Sequence, residues 1–266
     1  MKASRIRTLI GKEWIDLARN HLVLVPVAMV TLLTVALPFL LAVLLPAMTG
    51  HPLSDDSDLV NVSRIAGAHD GLSGEARIQL FLFQQFLTMF LLIPITGAMS
   101  LAAHAIVGEK QARTLEPLLA TPITTLELLV AKVLGTLAPT LGIALAGLGV
   151  YLAGVVIVAE PGVLRAMASV RTAVLLGVVG PSTALVALQS AIVISSRVND
   201  PRTAQQFGVL IIVPVSFVVV GQFMGRIWLS TTALALVGLG AFGVWILLML
   251  VSVVIFDREA ILTRWR

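Results

Sequence analysis

"IQLFLFQQFLTMFLLIPITGAMSLAA", residues 78–103, runs on without a single Asp, Glu, Lys, Arg or His. A helix of this length, rising about 1.5 Å per residue, crosses the roughly 30 Å hydrocarbon core of a bilayer. Working outward from it, five more such runs occupy residues 22–48, 133–159, 172–194, 207–224 and 232–256, the fifth in order (207–224) being the shortest. Hydrocarbon offers bare peptide groups no partners, so each run must be helical. The ten-residue alternating segments of a membrane barrel are absent. The expected fold is therefore an all-α integral membrane protein with six transmembrane helices, organised as a single domain over residues 1–266.

Composition supports this class. Of the 266 residues 58% are hydrophobic and only 12% charged, with a mean hydropathy of +1.01. Soluble domains carry about 25% charged residues. Cysteine is absent, which excludes disulfides, thiolate metal sites and cysteine nucleophiles. About twenty polar and mixed residues precede the first run and no small-residue cleavage site follows a short apolar core, so no cleaved leader is expected.

Orientation follows from the basic residues. With both termini cytoplasmic, 13 of the 18 Lys and Arg residues fall on the inner side; Arg64, Arg77, Arg165, Arg171 and Arg226 fall outside. An even number of spans agrees. The basic balance thus reflects membrane topology, and no basic-aromatic surface is left over for nucleic acid.

Residues 4–20 place Ile6, Leu9, Ile10, Trp14 and Leu17 at helical spacing, with Arg5, Lys12 and Asp16 largely elsewhere. This predicts an amphipathic helix in the headgroup layer, anchored by Trp14. A plain juxtamembrane anchor and a specific docking role explain it equally well. Residues 49–77 form the longest polar segment, rich in aspartate, and read as a solvated external cap. His51 and His69 within it match no metal-ligand spacing, so no metal is expected. Asn61-Val62-Ser63 is a glycosylation sequon by pattern alone.

Five of the six runs contain proline, which bends a helix and frees carbonyls that neighbours must satisfy. Small residues at Gly142, Ala146, Gly147 and Gly149, and the Gly221–Gly225 pair, are expected to let helices approach closely.

The most polar interruption in the middle of the chain is "GEKQARTLEPLLATPITTLELLVAKVLG", residues 108–135, within the loop 104–132. Thr114 can cap a short helix whose first turn holds Glu116 and Pro117. Leu115, Leu118 and Leu119 share a face, and Pro122 ends the helix near Thr121. A second start follows: Thr124 and Glu127 are spaced as a capping box, with Ile123 and Leu128 as its hydrophobic staple. A rigid, leucine-tipped knob across the ends of two membrane helices points to a protein partner.

This loop resembles that of type-2 ABC transporter permeases, whose pattern is roughly G-E-K/R-x-x-G-T-L-E-x-L-L-x-x-P-hydrophobic-S/T-x-x-E. Gly108, Glu109, Thr114, Leu115, Glu116, Leu118, Leu119, Pro122, Thr124, Glu127 and Lys132 match; Arg113 and Ala131 stand where glycine is usual. "SSRVNDPRTAQQFGVLIIVP", residues 195–214, resembles the family's loop between spans four and five. The resemblance implies that residues 114–120 are a coupling helix seated in a groove on a separate ATPase, flanked by Glu109, Arg113 and Glu127. Asn199 and Arg202 belong to a second, smaller contact. It further implies two permease copies and two ATPases, as a homodimer or with a close paralogue, in the cytoplasmic membrane of a prokaryotic cell. ATP and Mg would sit on the partner, with no cofactor bound by this chain. Many members carry two re-entrant helices between spans five and six; residues 225–231 leave little room for both unless the fifth span breaks at Pro214.

The chain has no phosphate-cradling G-x-x-x-x-G-K-[ST] and no catalytic constellation, so it reads as a non-catalytic subunit. None of the six runs contains Asp, Glu, Lys, Arg or His. Ion-coupled transport usually needs such a relay inside the membrane, which favours energy supplied from outside. Gln85, Thr88, Gln189 and Gln222 are candidates for a substrate path, against the plainer reading as interhelical hydrogen bonds. The leading function is the membrane subunit of an ATP-driven exporter. The alternative is a non-transporting scaffold or sensor that docks the same ATPase. The sequence does not select a substrate.

Overall fold

A computed structural model describes residue 11 and residues 21–65, 71–111, 125–197 and 201–255. The expected interfacial helix and the knob at 114–120 lie outside the described residues, as does Asn199. Among the described residues the chain is helical, with no strand. Five helices are long and apolar enough to span a membrane: Leu24–Thr49, Gly74–Ala102, Leu126–Val158, Val170–Ser195 and Thr231–Val253. The expected run at 207–224 is not among them. It belongs to a helix, Pro201–Phe223, whose described apolar stretch begins only at Ile212.

Span one consists of α1 (His21–Phe39), a π-helical turn (Leu40–Leu44) and α2 (Leu45–Thr49). In that turn the Leu45 N–H reaches back five residues, to the Leu40 carbonyl. The cause is Pro46, which lacks the donor that the Ala42 carbonyl would ordinarily take; the widened turn absorbs the mismatch. The cap contains α3 (Ser57–Ile65), so it is more built than a solvated loop.

Span two is two helices, α4 (Gly74–Met89) and α5 (Leu92–Gln111). At the join the Phe90 and Leu91 N–H groups bond only three residues back, to Leu87 and Thr88, each at 3.2 Å. Pro94 then falls in the first turn of α5, where a missing donor costs little. Span three is α6 (Thr125–Val158), continuous through Pro139. After α7 (Val163–Met167), span four comprises α8 (Val170–Val174), a second π-helical turn (Leu175–Val179) and α9 (Gly180–Arg197). There the Gly180 N–H bonds Leu175, ahead of Pro181. Then come α10 (Pro201–Phe223), unbroken at Pro214, and α11 (Thr231–Ile255).

Span two is the axle. Its most apolar stretch is 89% buried, against 22% for span one and 17% for both span three and the last span. α5 packs most extensively on α9, and α1, α6 and α10 also lie against it. The outer faces carry exposed Leu32, Leu145 and Leu239. Surface that apolar is tolerated only against lipid or a partner.

The expectation of close approach at small residues holds at Gly147, not at Gly142 or Gly149, which face open space, and not at the Gly221–Gly225 pair. A side chain at Gly147 would come within 3.0 Å of Thr31, so spans one and three do meet at glycine. Gly221 and Gly225 instead end α10. The Arg226 N–H bonds the Gly221 carbonyl and the Gly225 N–H bonds Gln222, both at 3.0 Å, with Gly225 at φ 67°. This is a Schellman stop, in which left-handed glycine satisfies the last carbonyls. Ile227 packs back over Gly221. The pair closes a helix on its own chain.

At the end of the bundle that carries residues 49–73, hereafter the cap end, the helices begin on serine caps. The hydroxyls of Ser73, Ser169 and Ser230 accept from the N–H groups of Ala76, Thr172 and Ala233, satisfying donors with no partner of their own within the helix. The Glu75 carboxylate takes the Leu53 and Ser54 N–H groups, pinning the cap to span two. Residues 225–230 hold no helix, so no re-entrant pair lies between α10 and α11.

Candidate functional site: a cavity where helices are irregular

A cavity of about 230 Å³ lies among α4, span four, α10 and α11. Its walls include the irregular parts of spans two and four. Thr88 and Leu91 flank the break in span two, Leu175 and Val179 bound the π-helical turn, and Pro214 is the proline of α10. Leu229 and Leu234 close it from the segment that follows the Schellman stop. Regular helices interdigitate to near-crystalline density. Where the backbone departs from helical register, facing side chains lose that fit and a void remains.

The four path candidates separate. Thr88 and Gln222 are brought together: the Thr88 hydroxyl donates to Gln222 Oε1 at 3.1 Å, beside the cavity. Gln189 donates to the Ser252 hydroxyl at 2.6 Å, tying α9 to α11. Gln85, one turn before Thr88, is buried with neither amide atom hydrogen-bonded. Gln222 Nε2 and Gln189 Oε1 are likewise buried without a partner. An unmet buried polar atom costs about 1–3 kcal/mol, so these amides are poorly explained as structural glue alone. The Gln79 side-chain oxygen accepts the Glu160 N–H at 2.9 Å and fastens the turn after span three.

Arg171 is the residue that sequence reading placed in an outer loop. The structure draws it into the start of span four. Its Nε donates to the Leu229 carbonyl at 3.2 Å, and the guanidinium carbon stands 4.1 Å from the centre of the Trp228 ring. Such stacking suits a weakly hydrated planar cation. The signal available in the sequence was its position one residue before an apolar run.

Of the ATPase-docking candidates, Arg113, Thr114, Leu115, Glu116, Leu118 and Leu119 lie outside the described residues. So do the side chains of Glu109 and Arg202, whose backbones are helical. Glu127 is buried in the first turn of α6, where its charge complements the helix N-terminus. α5 ends at Gln111 and α6 begins at Thr125, which leaves residues 112–124 to connect spans two and three.

A bundle of long apolar helices, ringed around a broken central one, defines a multi-pass membrane protein. A family model described as ABC-2 family transporter protein matches residues 7–262, and the chain belongs to that family. The resemblance carried by residues 108–135 thus extends over nearly the whole sequence. Membership makes this chain a membrane permease of the ABC transporter class and implies association with an ABC ATPase. No curated protein gives a match.

Proposed function

We propose that this chain is the membrane subunit of an ATP-driven exporter, working as two permease copies with two ATPase subunits. Both termini lie in the cytoplasm of a prokaryotic cell, and ATP and Mg are held by the partner. Residues 114–120 form the coupling helix, with Glu109, Arg113 and Glu127 beside it and Asn199 and Arg202 in a second contact. Nucleotide-driven closure of the ATPase pair pushes this knob. The push is transmitted along α5 and α6 to the broken axle, and the path past Gln85, Thr88, Gln189 and Gln222 opens toward the cap end. This chain supplies no catalytic group.

The observation that carries this reading is the family match over residues 7–262, taken with two helices that converge on residues 112–124. The discontinuity at Phe90–Leu91 supports it mechanically, because a two-part axle can bend where a continuous one would resist. Vesicles reconstituted with the permease and its ATPase should accumulate the substrate only when ATP is supplied. ATP turnover that depends on the permease while no candidate compound moves would favour the scaffold instead.

A further inference from the structure

Arg171 lies next to the cavity, tied to two of the residues that line it. Arg171 and Leu175 are four residues apart, one turn along the same face of span four, and Leu175 lines the cavity. Leu229 joins them a second time: its carbonyl accepts from Arg171 Nε, and the residue also lines the cavity. Arg171 is therefore held beside the cap end of an apolar chamber, next to two of its lining residues without lining it itself.

Among the described residues the cation is not used up. Its Nε is bonded and its face stacks on Trp228, yet Nη2 is buried with no hydrogen-bond partner. No described carboxylate lies within ion-pair distance of it. A guanidinium donor fixed in this way, beside apolar surface, matches an oxyanion better than any neutral group.

The chamber sets the other half of the ligand. Sites that enclose drug-sized molecules run about 300–1,000 Å³; at about 230 Å³ this one holds a chain end rather than a multi-ring compound. Its wall is apolar, and Val237, which helps line it, is 47% exposed on the outside of the bundle. A hydrocarbon chain can thus enter sideways from the leaflet at the cap end.

We propose that this is a binding site for a single-chain anionic amphiphile, its tail in the chamber and its carboxylate or phosphate on Arg171. This deepens the transport reading by naming a substrate class, and rests on it only for the step from binding to movement. Binding needs no ATPase, so failure of the test below leaves ATPase-driven transport standing.

Trp228 reports occupancy directly. In the full chain with Trp14, Trp245 and Trp265 changed to Phe, it is the only indole left. Titrating 2-bromododecanoate, whose bromine sits beside its carboxylate, into this protein in maltoside micelles should quench Trp228 saturably. The uncharged methyl ester should need at least tenfold more. Arg171→Gln should raise the half-saturation point of the acid at least tenfold and leave the ester's unchanged, whereas Arg171→Lys should stay within a few-fold of the parent. Val215→Phe, which fills the chamber, should weaken both probes. Excess inorganic phosphate should not reverse the quenching, since it lacks a tail. The proposal is overturned if acid and ester quench alike, if Arg171→Gln binds the acid as the parent does, or if inorganic phosphate alone displaces it. Should Arg171→Gln not fold, the acid-against-ester comparison on the parent decides.

Discussion

We expect arginine in place of Leu118 or Leu119 to abolish the ATP turnover that the permease stimulates in its ATPase, while the variant still inserts in the membrane. These leucines are the apolar tip of the proposed coupling helix. Buried anchors of this kind cost at least about 2 kcal/mol when truncated, which is more than tenfold in affinity. Arginine adds an unpaired charge pressed into an apolar groove, a further penalty with nothing to offset it. Neither substitution touches an apolar run, so insertion is preserved. Turnover measured on the reconstituted pair should fall to that of the ATPase alone. Stimulation undiminished in both variants would mean the knob does not dock.

The second large effect is on stability. A Cβ at Gly154 in span three would lie 2.5 Å from the Phe39 ring. That ring cannot yield easily. It sits 5.5 Å from Phe83 and 5.6 Å from Tyr151, and Tyr151 is in turn 5.2 Å from Phe90 and donates to the Phe83 carbonyl at 2.8 Å. This cluster binds spans one and three to the axle, and such ring pairs contribute beyond their buried area. Gly154→Leu should therefore destabilise the bundle by about 1–3 kcal/mol through overpacking. At Gly149, five residues earlier in the same helix, an added Cβ has nothing within 4 Å, and Gly149→Leu should be close to neutral. Thermal unfolding of both in detergent checks this, and equal midpoints would show that the cluster does not lock the spans.

What was legible in the sequence was whatever hydropathy encodes: that the chain is helical, and which long apolar segments run as helices. The internal geometry was not. Pro46 and Pro181 produce π-helical turns, whereas Pro139 and Pro214 sit inside continuous helices. The four look alike as letters, because the outcome depends on which neighbours accept the freed carbonyl. The spacing of Gly221 and Gly225 fits both a helix crossing and a Schellman stop; only the chain's direction after Gly225 separates them. Arg171 looked like a loop residue because its burial is supplied by Trp228 and Leu229, nearly sixty positions later. The cavity arises where several irregular segments meet, so no single stretch announces it. The path candidates fared between these extremes. Hydrogen-bonding character marked Thr88, Gln189 and Gln222 as interior groups, but their pairing across spans is a property of packing.

The central claim is that an external ATPase bears on residues 114–120. Because the chain has no cysteine, Leu119→Cys creates a single reactive thiol. With the ATPase present in native membranes, a short thiol-to-amine cross-linker should join the two proteins, and the yield should change when ATP is added. A thiol that reacts only with lipid-soluble reagents, and never with the ATPase, would contradict the account.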